Sequence, residues 1–312
     1  MTTDYYQLIT AQETIFAELF SRMDKDKDLL IQKDFTLFNK DDLEAPDVEN
    51  VTANDAAVFA DFVQSVLVRA NNQIEVTGEG LKDEVTSLYE DFFRDYMFGV
   101  NTNLFKRNIP DFNTWLVQQA CIRGRMAARV TLGMDGEKFR DGLLPLDTRY
   151  LVYDFGVRGY KWVAPKFNRS KNQITEEYGE EIGGQVKGTS AIVTDMWIVE
   201  DKIKEIVFIE KELVKETEFP GYDELPFIIQ VCPAGIMLQD DDQISGSGES
   251  IFYLARNLFS LKSKILSILD TLNMYTIFGG MQKEVEDVSS ARKPERTPYG
   301  KRFVAPVEKG TK

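Results

Sequence analysis

Three adjacent carboxylates, Asp240, Asp241 and Asp242, stand in "QDDDQISGSG". Oxygen ligands of this kind hold Mg²⁺, and a hard divalent ion can activate water against a phosphodiester. Asp240 and Asp242, with acids from a strand region, are thus the candidates for a carboxylate- and Mg²⁺-dependent phosphodiesterase. Two-metal catalysis draws its acids from separate elements, and three neighbours in a Gly/Ser loop meet that demand poorly. Solubility and favourable charge near a helix N-terminus account for them more simply. "DKDKDLLIQKDF", from Asp24, has acids at the first, third and fifth positions of a calcium loop. Leu29 stands where that loop needs glycine and Phe35 where it needs a bidentate glutamate, so the run reads as a solvated helix end. "GSGES" has the glycines of a phosphate loop without its lysine, and reads as a hinge and cap.

The 312 residues contain no histidine, which removes Ser-His-Asp and Cys-His hydrolysis and every His-ligated metal site. Cys121 and Cys232 lie in apolar stretches and read as reduced core residues; two distant thiols make no zinc site. No catalytic residue, cofactor site or metal ligand is assigned, and the expectation is a chain that is not an enzyme. No run of 18 apolar residues suggests a membrane span, and the N-terminus does not read as a signal peptide. The net charge is −14, unevenly spread. Residues 1–60 hold 13 acids and 5 bases, whereas 292–312 hold 7 bases and 2 acids.

The elements that must position any functional surface read as α+β: a helical N-terminal half, an antiparallel β-rich middle and one long isolated helix. Helical spacing is expected in "TAQETIFAELFSRM", in "NDAAVFADFVQSVLVRANNQIEV" behind a cap at Asn54 or Asp55, and in "LKDEVTSLYEDFFRDYMFGVNTNLFKR". Asp111 caps a further helix expected to run to Gly133, which puts Arg125 and Arg129 on one helical face as partners for acids of the chain. Aromatic and β-branched pieces follow, including a hairpin or meander turning near Asp201, and "LPFIIQVCPAG" as a buried strand. The division expected is residues 1–245, 246–280 and 281–312, the last being a basic, weakly patterned tail.

The stretch "GSGESIFYLARNLFSLKSKILSILD" opens the long helix. Ile251, Leu254, Leu258, Leu261, Ile265, Ile268, Leu272 and Tyr275 recur at steps of three and four, an unbroken heptad seam. A second stripe, Phe252, Ala255, Phe259, Leu266 and Leu269, is interrupted by Lys262. Asn257, Ser260, Ser263, Ser267 and Thr271 form a small polar strip, with Arg256 and Lys264 beside it. Burying the eight seam residues contributes on the order of 12–24 kcal/mol before entropy. Two coverings satisfy the pattern: an ordinary core position in a non-ring scaffold module, or identical helices on both sides with the serine strip left wet. Periodicity does not decide between them.

The order of these pieces resembles the portal proteins of tailed bacteriophages. "NDAAVFADFVQSVLVRANNQIEV" is similar to an early wing helix and its exit strand, and "FNTWLVQQACIRGRMAARV" to the next helix, with its basic "RGR" before a strand. "LLPLDTRYLVYDFGVRGYKWVAPK" is similar to the segment with an Asp-x-Arg after proline and an aromatic strand pair (Pro145, Asp147, Arg149, Trp162). The stretch from Gly248 is similar to the stem helix, with Gly248, Ser250 and Arg256 in place. The resemblance implies a homo-oligomeric, dodecameric ring at one capsid vertex, in the virion and, during assembly, in the host cytoplasm. It implies a wing-like domain at 1–245, a stem-like helix at 246–280 and the start of a clip-like region at 281–312. Such subunits continue into a clip, a second stem helix and a crown, so the C-terminal part is expected to be lacking. Its partners would be double-stranded DNA in transit, the terminase large subunit, major capsid protein or scaffold, and a head–tail adaptor, with no membrane and no cofactor. The channel candidates are Arg256, Ser260, Ser263, Lys264 and Ser267. The oligomer seam is Ile251, Leu254, Leu258, Leu261, Ile265, Ile268 and Leu272, with Lys262 bridging neighbouring subunits.

Overall fold

The computed structural model describes residues 4–38, 43–45, 48–70, 75–78, 80, 82–135, 138–157, 159–232, 234, 238–240, 243–245, 248–278, 281–285 and 304–308. Among the described residues the fold is α+β, with its larger sheets antiparallel and none closed into a barrel. Helix α1 (Tyr5–Ile15) starts where the Asp4 carboxylate accepts from the Gln7 amide at 3.2 Å, and α2 (Ala17–Leu30) follows after a break at Phe16. The sequence suggested one helix there. Helix α3 spans Asp55–Arg69 and α4 spans Asp83–Lys106, opening on Asp83 and Glu84, which complement the N-terminal dipole. Asp111 caps α5 (Phe112–Arg123), accepting from the Thr114 amide at 2.9 Å.

Helix α5 does not run on to Gly133. Gly124 ends it at φ 67°, and a strand, β1 (Arg125–Asp135), follows. Glycine is needed at Gly124 for a second reason: a Cβ there would lie 1.9 Å from the carbonyl oxygen of Gly248. Arg125 and Arg129 therefore sit on a strand. An even spacing of four still places them on one face, because side chains alternate along a strand.

Strand β1 pairs antiparallel with β2 (Lys138–Leu146) on one side and with β8 (Phe227–Val231) on the other. A single turn of 3₁₀ helix at Thr148–Tyr150 leads to the main sheet. That sheet is an antiparallel meander in the order β3 (Leu151–Gly156), β4 (Gly159–Ser170), β5 (Ser190–Val199), β6 (Ile203–Ile209) and β7 (Glu212–Phe219). The turn expected near Asp201 joins β5 to β6. Between β4 and β5 lie α6 (Lys171–Tyr178) and α7 (Glu180–Gln185). Later come the short hairpin β9 (Leu238–Asp240) and β10 (Gln243–Ser245), then α8 (Arg256–Phe278). Finally β11 (Met281–Val285) and β12 (Val304–Glu308) pair in parallel, a ladder not expected in the tail.

The chain divides into two compact units, not at the linear boundaries read from sequence. One comprises residues 1–27 and 60–253, the other 28–59 and 254–312. In the first, the meander is buried on both faces. Trp162, Ala164, Met196, Ile198, Ile206 and Phe208 face α1 and α2, packing against Ile9, Phe20 and Met23. The alternate residues Val163, Trp197 and Ile203 pack with Ala127, Leu146 and Phe227 of the smaller sheet. Period-two alternation thus supplies two dry faces from one sheet. In the second unit, residues 28–59 accompany α8, although the sequence had assigned them to the first domain.

Candidate functional site

Helix α8 carries the surface to which the heptad pattern points. Its first heptad positions fall outside it: Ile251 and Leu254 precede Arg256 in a run of turns. Ile251 is half-buried, and its amide donates to the Cys121 carbonyl at 2.9 Å. The lead-in up to Tyr253 packs within the first unit. Gly248 has φ 72°, and a Cβ there would lie 2.9 Å from both the Gly124 oxygen and Val231 Cγ1. Glu249 pairs with Arg22 at 3.0 Å, and Phe252 is fully buried.

The polar strip of α8 is wet at Asn257 and Ser260 only. Ser263 and Ser267 are buried, and the extended segment 49–53 lies along them. The amides of Glu49, Val51 and Ala53 donate to Thr271 Oγ1 at 3.0 Å, Ser267 Oγ at 2.9 Å and Ser263 Oγ at 3.2 Å. The registers match because two extended residues advance about 6.6 Å and four helical residues about 6 Å. Every second amide therefore meets a hydroxyl at each i, i+4 step. The hydroxyls serve twice, since Ser267 and Thr271 donate back to the carbonyls of Ser263 (2.8 Å) and Ser267 (2.7 Å). Ser263 and Ser267 are thereby corrected as channel candidates: they satisfy the donors of an extended segment that has no strand partner there.

Lys262 is corrected as well. Its ammonium donates to Asp55 Oδ1 at 2.6 Å within the same chain, and that hydrogen bond holds the Asp55 carboxyl below its ordinary range. Arg256 is partly buried and already engaged. Ser260 and Lys264 are exposed and, with exposed Asn257, form a polar line at steps of three and four.

The apolar seam is open. Leu254, Leu258, Leu261, Ile265, Ile268 and Leu272 are between 41% and 79% exposed, and Leu269 is 50% exposed. At about 100° per residue they occupy one face, roughly opposite the hydroxyl strip. The Tyr275 side chain lies outside the described residues. Only one apolar face of α8 is open, not the two that a rod flanked equally on both sides would present. Sequence reasoning missed two further open stripes: Val58, Phe59, Phe62, Val66 and Leu67 on α3, and Val85, Leu88, Tyr89, Phe92 and Phe93 on α4, are each at least 36% exposed. Their spacing was visible, but exposure depends on what the rest of the chain covers.

The segments similar to portal signatures are internally bound. Arg123 is buried, donating to the Met23 carbonyl at 2.9 Å and pairing with Asp147 at 3.2 Å. Arg149 grips Asp24 with two nitrogens, Nε at 3.0 Å and Nη2 at 2.9 Å. Arg125 donates to the Tyr153 hydroxyl at 2.5 Å, and Arg129 pairs with buried Asp195. Burial pushes the Asp195 carboxyl up to about 6 against the pull of Arg129. Arg123, Arg129 and Arg149 are structural partners of acids, whereas Arg125 is held by a tyrosine hydroxyl instead of the acid expected for it.

Asp241 and Asp242 lie outside the described residues, as does the side chain of Asp240. Among the described residues no group of three His, Cys, Asp or Glu side chains could hold a metal ion. Burial raises the Cys121 thiol to about 11 and also raises Cys232, which makes both poor nucleophiles. A cavity of about 340 Å³ is lined by Arg107, Trp115, Tyr150, Lys166 and Arg169, but Lys166 and Arg169 are tied to Glu13 and Glu177. Among the described residues no helix is long and apolar enough to cross a membrane. No protein-family model matches the chain, and no curated protein matches it significantly.

Proposed function

We propose that this chain is a subunit of a homo-oligomeric ring that conducts double-stranded DNA, a portal at one vertex of a viral capsid. One observation carries the reading: a continuous apolar face along α8, open over some four turns, on a chain whose main sheet has a buried core on both faces. A face of that size left in water drives association. The order of sequence segments supplies the kind of assembly. The arginines buried with acids remove cations that would otherwise hold phosphates and add salt-dependent drag on passing DNA. The exposed Asn257 and Ser260 mark the side of α8 offered to a duplex, an uncharged one. On this reading the ring is dodecameric and docks the terminase large subunit, capsid or scaffold protein, and a head–tail adaptor, while the chain itself catalyses nothing.

Electron microscopy of the purified chain tests the proposal. Closed rings with a central channel wide enough for a duplex are expected. Particles of a single compact subunit, or open filaments, would overturn it.

A further inference from the structure

A closed ring joins unlike surfaces, because each subunit touches one neighbour with one patch and the next neighbour with another. Helix α8 offers a single open face, its opposite side being occupied by residues 49–53. We infer that the receiving surface for α8 is the apolar stripe of α4 on the adjacent copy, so that the subunit contact is head-to-tail. This inference rests on the ring reading and adds the second half of its interface.

Three observations point to α4. Its exposed residues Val85, Leu88, Tyr89, Phe92 and Phe93 recur at steps of three, four and one, a helical face of the same chemistry as α8. Its charge is opposite: α4 carries five acids and two bases, whereas α8, with Lys262 paired to Asp55, presents Lys264 beside its open face. The charges are also placed to meet. Glu84 and Asp95 are exposed and fall on one flank of the α4 stripe, roughly 90–110° from its centre, with Asp91, paired to Arg94, beside them. Lys264 is exposed on a flank of the α8 face and has no ion pair among the described residues. Pairing α8 with α8 would instead leave Lys264 without an acid on the facing helix and leave α4 uncovered. Rim charges of this kind contribute little affinity but fix which faces meet.

Leu261→Glu on α8 and Phe92→Glu on α4 test the arrangement, with mass measured by sedimentation velocity. Both positions are exposed, so circular dichroism should remain native; Leu88→Glu replaces Phe92→Glu if it does not. Each variant alone is expected to be monomeric. Mixed in equal amounts they should form a 1:1 dimer and nothing larger, because each supplies the intact face that the other lacks. Wild-type-like assembly by both α4 variants, or a mixture that stays monomeric, would overturn the α4 assignment while leaving the ring reading in place. A wild-type chain that is itself monomeric would remove both.

Discussion

The five-stranded meander and helix α8 are both apolar along regular lines, yet the chain treats them oppositely. The meander has hydrophobic residues on both faces, and both are covered, by α1 and α2 on one side and by the β2-β1-β8 sheet on the other. Helix α8 has one apolar and one hydroxyl-bearing side, and the chain covers the hydroxyls. The difference shows that burial follows unmet hydrogen bonds as well as grease. Among the described residues the amides of 49, 51 and 53 have no strand partner; those of 51 and 53 are partly buried, and an amide withdrawn from water unpaired costs free energy. Ser263, Ser267 and Thr271 satisfy them. The apolar side is what remains.

The comparison breaks most visibly with paired truncations. Trp162→Ala, inside the closed sheet, should lower unfolding stability by about 3–5 kcal/mol in urea titration. Leu258→Ala, on the open face, should leave the monomer's stability within about 0.5 kcal/mol of wild type. Equal losses at the two sites would mean that α8 is covered within its own chain.

A smaller effect concerns protons. Asp195 in the closed sheet has a folded-state pKa raised by burial to about 6, above its ordinary 3.8. A raised acid favours the fold at low pH, and that contribution disappears as pH rises through about 6. Between pH 5 and pH 7.5 this group should therefore withdraw about 1.4 kcal/mol, a dependence that Asp195→Asn removes. An unchanged slope in the variant would place Asp195 in its charged form throughout, held by Arg129.

Much of this architecture was legible in sequence. Helices α3 and α4 and the meander announced themselves through spacings of 3.6 and two, with turn residues between. The end of α5 was misread because "RMAARV" has good helical propensity, and only pairing with β2 and β8 makes it a strand. Helix α6 carried a readable signal, the capping box of Ser170 and Gln173, which went unused. The seam of α8 was visible as a periodic pattern. Which side would be covered was not, because the answer lay in an extended segment some 210 residues earlier in the chain. The matching rise of a strand pair and a helical turn leaves no mark in local composition.

The role of the open α8 face is tested most directly by mass photometry of the wild-type chain beside Leu261→Glu at equal concentration. The wild type should appear as an assembly many times the 35.7 kDa subunit, and the variant at the subunit mass. Two identical mass distributions, whether both assembled or both monomeric, would contradict the account.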